Sequence, residues 1–364
     1  MASNILKISA LAFLASASVM GAAQAGGFGR GSTDTDILYE EGNFNIRAGA
    51  TYVNPTRKYT VNANPALVGT DYASAYLIPS AAVKLNINDD LRCAGTYAMP
   101  FGGQTDYAAP TPGLGKLSEG FTINELGLTC GYKFDMSKGR AWILGGVNMN
   151  MLNYDLVAGA GAVSINLKDN AANFRIGAAY EIPEIALRAQ IMYTSGFGLA
   201  ATGLANGFIP ASGAAEMPQN VELKVQSGVA PGWLVFGSVK WTDWSVTETL
   251  DLTSVAIGGT RQNLYYWSDG WTVSAGVGHA FNEKWSGAAT ITWDKGVGTG
   301  FDLSSDTWTL GVGGSYKDDM GGELKFGTGV TYIAASAEDK YGPGNSAVSS
   351  GWAYALGASY KTKW

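Results

Sequence analysis

From Asp306 to Tyr316 the chain alternates in steps of one residue. Trp308, Leu310, Val312 and Tyr316 fall on one parity, and Thr307, Thr309, Gly311, Gly313 and Ser315 on the other. A strand sends alternate residues to opposite faces, so this stretch reads as β with one apolar and one small polar face. The pattern recurs. Trp271, Val273, Ala275, Val277 and Phe281 alternate with Thr272, Ser274, Gly276 and Gly278. Phe44, Ile46, Ala48, Ala50 and Tyr52 alternate with Asn45, Arg47, Gly49 and Thr51. One such strand fits a soluble sandwich equally well; a long series with aromatics at the strand ends fits a membrane barrel, where amphipathic rings favour the interface.

The alternation predicts about fourteen strands: 43–53, 74–88, 91–101, 120–134, 140–155, 167–181, 185–195, 217–229, 233–246, 267–281, 285–295, 306–317, 322–334 and 350–361. Short turns such as Asn88-Asp89-Asp90 and Ile182-Pro183-Glu184 alternate with long loops at 54–73, 102–119, 156–166, 196–216, 247–266, 296–305 and 335–349. Short turns at one end and long loops at the other are the habit of bacterial outer-membrane barrels. An even count puts both termini at the short-turn end. Closure also removes the sheet edges that lipid cannot satisfy. The expected fold is an all-β, transmembrane, antiparallel up-and-down barrel over 43–364, with a shortened plug-like segment over 26–42.

The ends agree with this. Lys7, the apolar run Ile8 to Met20 and Ala23-Gln24-Ala25 form a signal-peptide pattern, with cleavage expected after Ala25. The chain finishes GWAYALGASYKTKW, with Tyr354, Leu356, Tyr360 and Trp364 on one parity. This resembles the C-terminal signal read by the barrel-assembly machinery, although Thr362 is a weak position in it. Fifty glycines, eleven tryptophans and eighteen tyrosines, with 15% charge, are unusual for a soluble domain. A pI near 4.9 leaves no basic stripe for nucleic acid.

Three stretches resemble the FadL/TodX-type transporters of fatty acids and hydrocarbons. YAMPFGGQTDY, Tyr97 to Tyr107, looks like that family's strand ending in Pro-Phe-Gly. Met217 to Ser245 looks like its Pro-led strand, tight turn and strand ending near Trp-Ser, and Trp267 to Gly296 like its Trp-x-Asp strand with a Trp-led return. The similarity runs from about Asp34 to the end. It implies a fourteen-strand outer-membrane barrel for passive uptake of long-chain fatty acids or other hydrophobic small molecules, captured by outer loops and released through a lumen pocket and a side port. Relatives plug the barrel with an N-terminal hatch carrying Asn-Pro-Ala. No Asn-Pro-Ala lies within Gly26 to Gly42, the only stretch available ahead of the first strand here. A general aqueous porin and a structural barrel are the alternatives.

Parity places Arg47, Lys84, Arg92, Lys133, Arg175, Arg188, Lys240 and Lys325 in the lumen. An anionic ligand there needs a cation or donors, and Arg175, Lys240 and Arg47 are the carboxylate candidates. These cations could instead solvate the lumen or pair with Glu125 and Glu222. Pro79, Pro100, Gly102 and Gly103 are side-port candidates, since proline cannot donate to a ladder and glycine tolerates a bulge; an ordinary strand end is the plainer reading. Phe197, Leu199, Phe208 and Ile209 are capture candidates in an apolar outer loop, or a constriction if folded inward. Ile37-Leu38-Tyr39, flanked by Asp34, Asp36, Glu40 and Glu41, is expected to tuck into the lower lumen against Arg47, Lys84, Arg92 and Arg188; a disordered tail is the competing reading. Cys93 and Cys130 fall on one face of neighbouring strands and read as small apolar fillers, with a bridge as the alternative. His279, the single histidine, has lipid-facing parity, so no histidine-based triad can be built. No catalytic residue, metal site or cofactor is expected. The expected partners are a hydrophobic ligand, outer-membrane lipid and, through Trp364, the assembly machinery.

Overall fold

The computed structural model describes residues 27–340 and 345–364, so the targeting pattern over 1–25 lies outside the described residues. Fourteen strands close into one antiparallel barrel: β1 Phe44–Thr56, β2 Tyr76–Asn86, β3 Leu91–Asp106, β4 Ser118–Met136, β5 Gly139–Ala158, β6 Val163–Ile182, β7 Leu187–Thr194, β8 Asn220–Ala230, β9 Trp233–Thr242, β10 Gly270–Ala280, β11 Trp285–Asp294, β12 Thr307–Lys317, β13 Glu323–Ile333 and β14 Gly351–Lys363. Each pairs with its chain neighbour, and β1 pairs with β14 from Asn45 opposite Lys363 to Thr56 opposite Trp352. Phe44 and Trp364 exchange backbone hydrogen bonds at 3.2 and 2.9 Å, which seals the short-turn end of that closure. All fourteen expected strands are present.

The faces follow the parity. Asn45, Arg47, Lys84, Arg92 and Arg175 are buried inside, while Val147, Ile176, Leu310 and Leu356 are exposed outside. Trp293, Trp308, Tyr332 and Trp352 stand directly opposite one another across four strands, and Trp285 and Tyr316 form a second rung towards the other end. Trp308 and Tyr316 are eight residues apart, about 20 Å of height for a tilted strand, close to the apolar band of an outer-membrane barrel.

Two expectations change. Stretches 196–216 and 247–266 are not plain loops. They form the hairpins Phe197–Ala205 with Ile209–Met217 and Thr249–Ser254 with Gly259–Leu264, which prolong the wall beyond the rim. Their Ala/Gly-rich sequences give little contrast between faces, and their pairing is set by distant partners, β6 among them. Cys93 and Cys130 are not free fillers: they are bridged. They stand directly opposite each other in the β3–β4 ladder with Cα atoms 4.0 Å apart, the kind of close cross-strand pair that permits a bond.

Candidate functional site

The N-terminal segment lies inside the barrel. Its base is a short turn of 3₁₀ helix, Thr35–Tyr39, buried throughout. Ile37, Leu38 and Tyr39 pack on Ala82, Ala94, Trp142, Leu144, Ala179 and Met192. Polar bonds fix the rest. Arg47 reaches Asp34 at 2.7 Å and Glu40 at 2.6 Å. Arg188 lies 3.9 Å from Asp36 and stacks over the Tyr39 ring. Lys84 and Arg92 bind main chain instead of acids: Lys84 donates to the carbonyls of Glu40 and Gly42, and Arg92 to that of Leu38. Two further cations join them, Lys224 to Asp36 at 3.5 Å and Lys361 to Glu40 at 3.0 Å. Both share the inward parity, so alternation alone would have found them. Burial pushes the Asp36 carboxyl up, but Lys224, Arg188 and Arg47 outweigh it and hold the group below its ordinary value.

Above Asp34 the segment runs along a break in the wall. The β2–β3 ladder ends at Ala81 opposite Tyr97, and the β3–β4 register slips between Ala98 and Phe101. Residues 28–31 lie against this bulge. Arg30 and Gly31 donate to the carbonyls of Pro100 and Met99 at 2.9 Å, and Gly102 donates to Phe28 at 2.9 Å. A Cβ on Gly31 would stand 2.8 Å from the Ile78 side chain and 3.2 Å from the Met99 carbonyl, so any larger residue there would have to push one of the two strands aside. The side-port candidates Pro79, Pro100, Gly102 and Gly103 are gathered around this covered break. The Arg30 guanidinium closes it further, 3.7 Å over the Tyr76 ring.

Phe28 tops the segment. Its ring meets Phe121 and Trp267 at 4.8 Å, Tyr265 at 5.4 Å and Trp244 at 6.2 Å. It stands at the foot of an apolar chamber lined by Leu152, Leu167, Leu199 and Leu252 among others. Phe101, Phe197 and Trp244 form an aromatic floor, with centroids 5.7 to 6.3 Å apart. Below it opens a cavity of about 140 Å³, whose mixed lining includes the hydroxyls of Thr272, Ser274 and Thr292 and the side chain of Lys240. The sequence offered Phe28 only as one aromatic in a glycine run, and nothing local ties it to Trp244 or Trp267.

The carboxylate candidates separate here. Arg47 is engaged by Asp34 and Glu40. Arg175 is buried against Glu125, with Thr33 bridging the two at 3.2 and 2.6 Å. Lys240 has no ion pair among the described residues. Glu222, opposite it in the ladder, turns to Lys224 at 3.6 Å. Among the capture candidates, Phe197 and Leu199 face inward and are buried, Ile209 packs on the same core, and Phe208 is 74% exposed at the hairpin tip. His279 stacks on Trp233 on the outer face, centroids 4.2 Å apart. Arg57, which the sequence did not single out, ties the outer loops: it donates to the carbonyls of Leu303 and Ala334 at 2.7 Å and to Ser336 at 2.8 Å.

A closed barrel with aromatic rungs, a bore filled from its short-turn end and an apolar chamber at its long-loop end has the architecture of a membrane-spanning β-barrel. The sequence model of the outer membrane protein transport protein family (OMPP1/FadL/TodX) matches residues 160–299. The fold is similar to that of a Pseudomonas aeruginosa FadL homologue, with TM-score 0.72 and 14% identity over 95% of this chain and 97% of that one. It is also similar to the Pseudomonas putida toluene transporter TodX, with TM-score 0.63 and 12% identity over 96% and 97%. The monoaromatic hydrocarbon channel CymD gives TM-score 0.61 and 13% identity over 90% of each chain. At these identities the likeness is one of fold. No curated protein sequence matches the chain. The resemblance to the FadL/TodX type thus holds in sequence over residues 160–299 and in fold over nearly the whole chain.

Proposed function

We propose that this barrel carries hydrophobic small molecules passively across the bacterial outer membrane, and that long-chain fatty acids are among them. The observation that carries this reading is vertical order: an apolar chamber, an aromatic floor, then Lys240, which has no ion pair among the described residues, beside a cavity walled in part by hydroxyls. An amphiphile fits that order, its chain above and its carboxylate on Lys240. A carboxylate placed there gains a charge-assisted bond instead of a bare desolvation cost. The β2–β3 break, once residues 28–31 withdraw, is the side port through which the ligand leaves. A free aqueous bore fits poorly, because the N-terminal segment fills the lower lumen. The outward aromatic rungs suit outer-membrane lipid as the barrel's solvent, and exposed Trp364 suits recognition by the assembly machinery. The related barrels named for toluene and monoaromatic hydrocarbons make neutral aromatics a second ligand class to try.

The test is a paired assay. Purified protein in liposomes is expected to admit a labelled fatty acid and to exclude sugars, and cells lacking the protein to lose uptake of oils. Free passage of sugars with no fatty-acid binding would sink the transporter reading and leave an aqueous porin.

A further inference from the structure

Beyond the rim the wall continues. The upper ends of β3 to β6 run on, neighbour by neighbour, into Phe197–Ala205, Ile209–Met217, Thr249–Ser254 and Gly259–Leu264: Ile165 lies opposite Ala205, Ala205 opposite Ile209, Ser212 opposite Thr253 and Thr253 opposite Thr260. These strands curl around the apolar chamber. Among the described residues, the last of them, Gly259–Leu264, has its ladder register with Thr249–Ser254 and none with the β3–β4 hairpin.

Where this last strand returns to the β3–β4 hairpin, side chains make the join. Lys116 pairs with Glu119 at 2.6 Å and donates to the Asn263 side-chain oxygen at 3.3 Å. The Asn263 amide donates to Glu119 at 3.3 Å. Tyr154, which lines the chamber, donates its hydroxyl to the same Glu119 oxygen at 2.7 Å. Water reaches this join, since the Lys116 and Glu119 side chains are 15% and 19% exposed. One carboxylate therefore touches both the solvent-reachable side and a wall residue of the chamber.

We propose that hydrophobic ligands enter the outer chamber sideways, through the seam between Gly259–Leu264 and the β3–β4 hairpin, with Lys116, Glu119 and Asn263 as its gate. Parting any other pair of these strands breaks a backbone ladder and strands its polar groups. Parting this pair breaks side-chain bonds that water can replace, and such places open first. The opened seam leads past Tyr154 to the leucine-lined interior, without passage over the exposed Phe208 at the hairpin tip. The inference rests on the chamber being a ligand site.

The test joins Lys116→Cys and Asn263→Cys in the full chain with a short bismaleimide; the native cysteines are bridged and do not react. The readout is association of dansyl-labelled undecanoate with the detergent-solubilised protein, followed by the rise in dansyl emission. Tethering is expected to slow association about tenfold or more while equilibrium affinity stays within about twofold, because a gate acts on rate. Asn263→Ala, which loosens the seam, is expected to speed association. A tethered chain that binds as fast as the same double variant untethered overturns the gate. Failure of the untethered chain to bind the probe at all removes the chamber as a site, and the seam with it. Gated binding without flux in liposomes leaves the seam standing and removes only the transport reading.

Discussion

The amide of Gly102 donates to the carbonyl of Phe28 at 2.9 Å, so the N-terminal segment is hydrogen-bonded into the barrel wall at the point where the wall's own ladder fails. One short segment therefore fills the lower lumen, covers the break beside β3 and places an aromatic ring under the outer chamber.

Removing that segment should open the bore. Deletion of Gly26 to Tyr39 is expected to raise single-channel conductance in planar bilayers and to admit small sugars. Conductance equal to that of the intact chain would mean the segment does not close the pore.

Arg47 is the main anchor of the segment. It sits buried between Asp34 and Glu40. Arg47→Met leaves carboxylates short of a partner, a change that costs about 3–5 kcal/mol where a buried pair is broken. The loss should appear as faster hydrogen exchange over Thr35–Tyr39, while the strand amides of β10 to β13 stay protected. Equal protection of Thr35–Tyr39 in both proteins would show that apolar packing of Ile37 and Leu38 holds the segment by itself.

Lys240 and Arg175 should respond differently to truncation. Lys240→Ala is expected to weaken binding of a fatty-acid anion about tenfold, the worth of one charge-assisted bond, and to leave toluene binding unchanged. Arg175→Ala strips buried Glu125 of the cation it pairs with, so its main effect should be a lower unfolding temperature. Titration calorimetry with both ligands on both variants decides this, and an undiminished affinity of Lys240→Ala for the anion would remove Lys240 as the carboxylate site.

The outer loops should tighten in mild acid. Burial pushes the carboxyls of Asp302 and Glu338 up, although hydrogen bonds from Ser304 and Ser346 partly oppose it. A carboxyl raised in the folded state binds its proton more tightly there than in the opened loop. The stabilisation is full below the ordinary carboxylate range and is lost as pH rises through the raised values. Hydrogen exchange over 296–305, corrected for its intrinsic rate, should thus show more protection at acid than at neutral pH. The opposite trend would mean that both groups are ionised in the folded loops.

Much of this was legible in the chain. Parity assigned Arg47, Lys84, Arg92, Arg175, Arg188 and Lys240 to the lumen correctly, because a closed barrel with lipid outside enforces a two-residue period on every strand. The acids of the N-terminal segment and the basic residues of the lower strands announced each other by charge. The two outer hairpins were illegible, since Ala-, Gly- and Thr-rich strands in water have no strong reason to alternate.

The sequence by itself determined the barrel, the number and facing of its strands, the short-turn and long-loop ends, and the acidic segment that precedes β1. Those properties follow from local periodicity and turn chemistry. Only the tertiary structure decided that Cys93 and Cys130 are joined, that Lys240, unlike Arg175 and Arg47, has no ion pair among the described residues, that Phe28 reaches Trp244 and Trp267, and that Asn263 meets Glu119. Each of those depends on the register between strands distant in sequence and on how the curled wall brings their side chains together, and a pattern that repeats every two residues carries no information about which distant residue stands opposite.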